Sequence, residues 1–321
     1  MKQEAFRDLF PAPDYAEMTA RLRRPAGKVD AILDTDTYNE VDDQFALAYL
    51  LRSEESVDLR AVTAAPFYRD PKDGVSRSSD PADGMEKSYQ EILKVLRLAD
   101  REDLCSRVYR GSTRYLPDER TPVESEAARK ILELSLSYDE NHPLYILAIG
   151  AGTNVASALL MDPTLTRRCV VVWLAGHGHH WNDCSDFNVA QDMAAARILF
   201  GCGVPLVQFP MFGVVSEFRF SKPELEYWFR GKSPLSDYLI DNTYAYCSQK
   251  YDYEGWSKPL WDLAAVCWVV RGDFLKSACV PAPIPTYDFG YSFDINRHPM
   301  QYVYCVQKDP LIADVAAKLS R

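Results

Sequence analysis

The run Cys169-Val170-Val171-Val172-Trp173-Leu174-Ala175 constrains this chain most, because it is apolar throughout and never alternates with polar residues. A strand that faces water on one side alternates. One that does not is covered on both faces, as in a parallel sheet flanked by helices. Such a sheet needs crossover helices, and the rest of the chain supplies the pattern for them. Residues 29–33, 59–63, 107–110, 144–149 and 204–209 read as further strands, and 42–52, 85–98, 124–138, 154–161, 193–200 and 262–270 as helices. Residues 221–250 read as helical and aromatic, and strands near Cys279 and Tyr302 close the chain. The alternation predicts an α/β fold with a doubly wound, mostly parallel sheet. One domain is expected over 28–321. It follows an N-terminal preamble, 1–27, with a short basic helix over 16–24 ended by Pro25. Sheets of this kind bind ligands beyond the carboxyl ends of their strands. That rule selects the loops 34–43, 64–84, 149–154, 175–192 and 210–220. The segment 66–84, rich in Pro, Gly, Ser and Asp, reads as a functional flap or a mobile segment.

Composition excludes several classes. A formal net charge of −10 repels phosphate backbones, so no nucleic-acid partner is expected. Eight cysteines are scattered without a CxxC pair, which predicts free, mostly buried thiols and a reducing, cytoplasmic setting. Residues 1–10 are charged and lack an apolar h-region, so no secretory signal is expected. No apolar run reaches the roughly 18 residues of a membrane span, so no membrane is expected.

The first strand runs directly into Asp34-Thr35-Asp36-Thr37-Tyr38-Asn39-Glu40-Val41-Asp42-Asp43. Five carboxylates fall within ten residues, and together they repel one another. A cation resolves that conflict, and oxygen-only ligands suit Ca²⁺ or Mg²⁺ rather than zinc. The bland alternative is a solvated acidic loop in which Asp42 and Asp43 cap a helix.

The stretch Ile32-Leu33-Asp34-Thr35-Asp36, then Asp42-Asp43-Gln44-Phe45-Ala46-Leu47, resembles the DxDxGxDDAxAL fingerprint of the inosine/uridine-preferring nucleoside hydrolases. Later segments match in order. Val108-Tyr109-Arg110-Gly111 resembles the family's strand into a glycine. Leu147-Ala148-Ile149-Gly150-Ala151-Gly152-Thr153-Asn154 resembles its GPLTN turn, and Asp186-Phe187-Asn188 its EFN. Gly203-Val204-Pro205-Leu206 resembles its GVP strand, and Trp261-Asp262-Leu263-Ala264 its HDPLA. The resemblance spans about residues 29–270 and implies a Rossmann-like nucleoside hydrolase fold.

It also implies a chemistry: Ca²⁺-dependent hydrolysis of the N-glycosidic bond of a ribonucleoside or related ribosyl compound. By resemblance, Asp36, Asp43 and Asp262 supply metal carboxylates and Ile149 a backbone carbonyl. Asp36 is also the base that activates the metal-bound water, and Asp34 orients it from behind. Asp42, Asp186 and Asn188 hold the ribose. Neighbouring carboxylates suit an oxocarbenium-like transition state. Family members usually form homodimers or homotetramers. Four departures stand out. The loop between Asp36 and Asp42 is two residues longer than the pattern and lacks its glycine. The usual Asn after the second strand is replaced around Ala65-Pro66. Trp261 stands where a His can protonate the leaving base, which an indole cannot do. Asp186 stands for Glu.

Three of the five histidines lie in Gly176-His177-Gly178-His179-His180-Trp181-Asn182. His179 or His180 is a candidate replacement for the missing acid, and Asn182 or His180 a candidate sugar contact. A metal site fits the spacing poorly, and a polar rim shielded by aromatics remains the plainest reading. The run Tyr244, Tyr246, Tyr251, Tyr253 and Trp256 offers faces for a base, or simply core packing. Tyr291 and Arg297 are candidates to border the pocket. Two rivals remain. One is a haloacid-dehalogenase-like phosphatase, whose DxDxT opening is matched by Asp34-Thr35-Asp36-Thr37, with Asp34 as nucleophile. The other is a catalytically impaired protein that binds a ribosyl ligand on the same fold.

Overall fold

The protein is described from a computed structural model covering residues 4–69 and 77–320. The part of the expected flap at 70–76 lies outside the described residues. The helices are α1 (Tyr15–Arg21), α2 (Asp43–Leu51), α3 (Pro81–Leu98), α4 (Glu126–Ser135), α5 (Thr153–Met161), α6 (Phe187–Gln191), α7 (Met193–Gly201), α8 (Lys222–Phe229), α9 (Pro234–Lys250), α10 (Trp261–Arg271) and α11 (Lys308–Leu319). Eight strands form the main sheet: β1 (Val29–Thr35), β2 (Val57–Ala64), β3 (Val108–Arg110), β4 (Leu144–Ala148), β5 (Cys169–Leu174), β6 (Leu206–Phe209), β9 (Leu275–Pro281) and β12 (Pro299–Val306). Two small ribbons complete the set, β7 (Arg219–Ser221) with β8 (Ser257–Pro259) and β10 (Ile284–Pro285) with β11 (Tyr291–Ser292).

The sheet order is β3-β2-β1-β4-β5-β6-β12-β9. Every neighbouring pair is parallel except β12 with β9. The unalternating run at β5 behaves as its composition requires. Val170, Val172 and Leu174 join the core on one face, Cys169, Val171 and Trp173 that on the other. The chain reverses winding direction at β1 and β4, and that is where the acidic loop leaves the sheet.

Several boundaries differ from expectation for local reasons. The helical stretch 221–250 is two helices, because Gly231 adopts φ +69° and Ser233 caps a new start at Pro234. The helix expected over 124–138 is shorter, with Ser125 accepting from the Ala128 N–H at its start. The chain ends on a helix, α11, and not on strands. Within the preamble, Phe6, Phe10, Met18 and Leu22 are buried in the two cores. No helix among the described residues is long and apolar enough to cross a membrane. All eight cysteines are free.

Candidate active site

Asp34 sits within β1 in register with Thr63 of β2 and Ala148 of β4. Its Oδ1 accepts from Thr63 Oγ1 at 2.6 Å and from Asn154 Nδ2 at 2.8 Å. The Asn154 amide also donates to the Ala64 carbonyl, and its oxygen accepts from Ser112. Asp34 is therefore a brace tying β1 to β2 and to the start of α5 beneath the loop that follows. One residue on, Thr35 donates through Oγ1 to Asp43 Oδ1 at 2.5 Å, which fixes the first carboxylate of α2. Asp36 lies between, with Asn39 donating to its Oδ2 at 3.2 Å. Gly150 makes this approach possible, since a Cβ there would lie 3.1 Å from the Asp36 nitrogen and 2.9 Å from the Ala65 Cβ.

The last carboxylate arrives from far along the chain. The β7–β8 ribbon delivers the chain into α10, whose first turn carries Asp262. The Asp262 N–H donates to Asp42 Oδ2 at 3.3 Å. Asp42, Asp43 and Asp262 offer carboxylate oxygens all within 4.8 Å of one another, all buried. Asp262 Oδ1 and Asp34 Oδ2 have no hydrogen-bond partner among the described residues. Asp36, Asp42, Asp43, Ile149, Asn188, Trp261 and Asp262 line one cavity of about 20 Å³, with Asn39, Glu40, Leu174, Phe187 and Met211.

Burial first, then repulsion from Asp43, pushes Asp36 well above the usual carboxylate range. Burial, then Asp42, pushes Asp43 up to about 7. Burial, then Asp43 and Asp42, pushes Asp262 well up too. Asp34 rises only to about 6, because the hydrogen bonds from Thr63 and Asn154 offset part of its burial. A cage of buried acids that resist ionisation, with an oxygen left unpartnered, is the electrostatic complement of a divalent cation.

A second network lies against the same cavity. Glu40 is reached by Lys258 Nζ at 2.7 Å, Arg69 Nη2 at 2.9 Å and Lys250 Nζ at 3.5 Å. Lys258 also pairs with Asp42 at 3.1 Å, and Tyr246 Oη lies 3.0 Å from both Arg69 and Lys250. Burial alone would raise Glu40, but the three cations outweigh it and hold the group well below its usual range. None of the cations was singled out in the sequence. A lysine between Trp256 and Trp261, next to Pro259 and Leu260, was the available signal.

The structure does not bring every expected residue to the cavity. Asp186 caps α6, its oxygens accepting from the N–H groups of Gly176, Asn188 and Val189. It thereby positions Asn188, whose Nδ2 donates to the Ile149 and Leu174 carbonyls. His179 Nε2 meets Gln208 Oε1 at 3.0 Å, and its ring packs on Tyr302 with centroids 4.2 Å apart. His180 and Asn182 are exposed. Asn188 lines the carboxylate cavity, whereas Asp186, His179, His180 and Asn182 do not. A chain of rings links the loop to the site: His177 packs on Phe212, which meets Trp261 edge-on at 5.6 Å. Tyr291 and Arg297 border a separate cavity of about 950 Å³. Tyr246 is fully buried in the cation network, Tyr244 packs on Trp256, and Tyr253 is exposed. The phosphatase reading fails on Asp34, which is fully buried and engaged by Thr63 and Asn154, where a nucleophile would need access.

The carboxylate cage at the carboxyl ends of β1 and β4, completed by the first turn of α10, is a candidate divalent-cation site. The chain belongs to the inosine-uridine preferring nucleoside hydrolase family, whose sequence profile matches residues 31–298. It is 23% identical over 261 residues to a pyrimidine-specific ribonucleoside hydrolase RihA of Klebsiella pneumoniae strain 342, covering 74% of this chain and 78% of that one. The fold is similar to that of a plant nucleoside hydrolase, PpNRh1, with a TM-score of 0.72 at 20% identity, covering 92% and 99% of the two chains. A purine-preferring ribonucleoside hydrolase from Gardnerella vaginalis superposes with a TM-score of 0.71 at 19% identity over 91% and 98%.

Proposed function

We propose that this chain hydrolyses the N-glycosidic bond of a ribonucleoside or a related ribosyl compound at a divalent-cation site, Ca²⁺ ahead of Mg²⁺. The observation that carries this reading is the buried triad Asp42, Asp43 and Asp262, oxygens within 4.8 Å, beside Asp36 and an unpartnered Asp262 oxygen. Asp36, Asp43 and Asp262, with the Ile149 carbonyl, would hold the ion. The tightest triad contains Asp42 in place of Asp36, but Asp36 lines the same cavity and is repelled by Asp43 most. Bound there, the cation would lower the pKa of a water and grip vicinal hydroxyls.

The remaining steps fall to side chains. Asp36 takes a proton from the attacking water as the water's oxygen bonds to the anomeric carbon; the C–N bond breaks with its electron pair leaving on the base, which takes its proton from solvent. The surrounding carboxylates stabilise the positive charge that develops on the sugar. Asp42 and Asn188 hold ribose hydroxyls, and the Trp261 face packs on the departing base. Assembly as a homodimer or homotetramer belongs to the same reading. A second reading, binding of a ribosyl ligand without turnover, is favoured by the Lys258–Asp42 ion pair, which engages a residue the sugar would need.

The test is release of reducing sugar from inosine, uridine, adenosine, cytidine and nicotinamide riboside, with Ca²⁺ or a chelator. Chelator-sensitive release that disappears in Asp36→Asn is expected. Calcium binding without release from any of the five would favour the binding protein.

A further inference from the structure

Three cations converge on Glu40, two of them on a single oxygen. Arg69 and Lys250 share Oε1, the latter at 3.5 Å, while Lys258 takes Oε2 and turns also to Asp42 and the Pro259 carbonyl. The Lys258 and Arg69 side chains are only 2% and 7% exposed, so water does little to balance them. Both are paired, Lys258 with Glu40 and Asp42 and Arg69 with Glu40, so a group that replaces Glu40 there must itself be an anion.

Glu40 also lines the carboxylate cavity, and that cavity, at about 20 Å³, holds roughly one water. A ribosyl compound enters only if part of the lining withdraws. The lining contributed by β4, β5 and α10 is fixed by sheet register and helix packing. Glu40 instead stands in the irregular loop between Asp36 and Asp42, the one two residues longer than the family fingerprint, and its side chain already reaches solvent at 16% exposure. It is one of three partly exposed residues in the lining, with Phe187 and Met211.

We infer that Glu40 is an internal stand-in for an anionic group of the substrate, and that Arg69, Lys250 and Lys258 form a subsite for that phosphate or carboxylate once Glu40 swings out. The inference rests on the hydrolase reading for the rest of the site. A phosphate presents three oxygens to three cations, where Glu40 presents two, and a guanidinium with two ammonium groups is a suitable cradle for it. The site thus combines an acidic floor for the sugar with a cationic wall, selecting ribosyl compounds that carry a negative charge either on the sugar or on the leaving base.

Two measurements on the full chain with Ca²⁺ test this. The first compares kcat/KM for uridine, uridine 5′-phosphate and orotidine, which places the anion on neither part, on the sugar or on the base. At least a tenfold preference for one of the anionic compounds is expected, falling toward unity in Lys250→Met, a substitution at a partly exposed side chain that spares the core. Preference for uridine over both, or an unchanged ratio in Lys250→Met, would overturn the subsite. The second is calorimetric binding of inorganic phosphate to the wild type, Glu40→Gln and Lys250→Met. Glu40→Gln should bind at least tenfold tighter and Lys250→Met more weakly; affinities independent of both positions would refute the proposal even if no compound is hydrolysed. Absence of ribose release from every substrate, with the phosphate pattern intact, would instead fault the hydrolase reading alone.

Discussion

The acidic cage and the histidine loop lie at the same end of the same sheet, and both are dense in groups able to do chemistry. They differ in what their surroundings leave unresolved. In the cage, four buried aspartates face one another, and an Asp262 oxygen has no partner among the described residues. In the loop, His177 Nδ1 accepts from the Phe212 N–H at 3.3 Å, His179 is matched to Gln208, and burial pushes both imidazoles toward the neutral form. One region stores an electrostatic conflict that a ligand can relieve; the other is already satisfied. Density of reactive side chains marks a site less well than unrelieved charge does.

The comparison breaks first at Asp36. Asp36→Asn removes the base without changing shape, and kcat should fall by about 10³-fold or more while the thermal transition stays in place. A variant keeping a tenth of wild-type turnover would move the chemistry out of the cage. Lys258→Met tests the other half of the same region by leaving Asp42 and Glu40 buried without their shared cation. About 3–5 kcal/mol of unfolding free energy should be lost, read from a denaturant midpoint. A loss under 1 kcal/mol would mean the network relaxes to solvent and is no rigid wall.

A pH series sharpens the contrast further. Asp34 and Asp43 are held at about 6 and about 7 in the fold, above the roughly 3.9 of an unfolded chain. A folded value above the unfolded one means protonation favours the fold. The contribution is complete below about pH 4 and is lost as pH climbs through 6 and 7. Without divalent cation, Tm should therefore drop between pH 5 and 8. A saturating cation should restore about 2–3 kcal/mol, on the order of 5 °C, and restore more at pH 8 than at pH 5. A cation effect independent of pH would mean the ion binds elsewhere.

The sheet was legible because β5 lacks alternation and because strands and helices take turns. The clustering of the buried acids was legible because a strand delivers most of them within ten residues, and Asp262 because its neighbours match a fingerprint. The cation wall was not legible. Arg69, Lys250 and Lys258 come from three separate segments, and only the β7–β8 ribbon and α9 bring them onto Glu40. Asp186, expected at the ribose, caps α6 instead of lining the cavity. An acid one residue before a helix start serves equally as a cap or as a ligand, and only the three N–H groups it accepts from decide between them. The helix α11 was legible but passed over, since Leu311, Ile312, Val315, Ala316 and Leu319 already fall on one face.

The smallest expected effect is on the other side of the comparison. A positioned general acid contributes about 10²–10⁴-fold, so the histidine loop can be judged by a modest pair of variants. His179 is engaged by Gln208 and stacked on Tyr302, and His180 packs its ring against Gly178 and Gly213 at the surface. Neither reaches the cavity that Trp261 closes. His179→Ala and His180→Ala should each leave kcat/KM within about threefold and leave the alkaline limb of its pH profile in place. A hundredfold loss in either, together with a shift of that limb, would show that the loop folds over the cage during turnover. The Phe212 contact between His177 and Trp261 would then be the hinge to substitute next, because it is the ring that links the two regions.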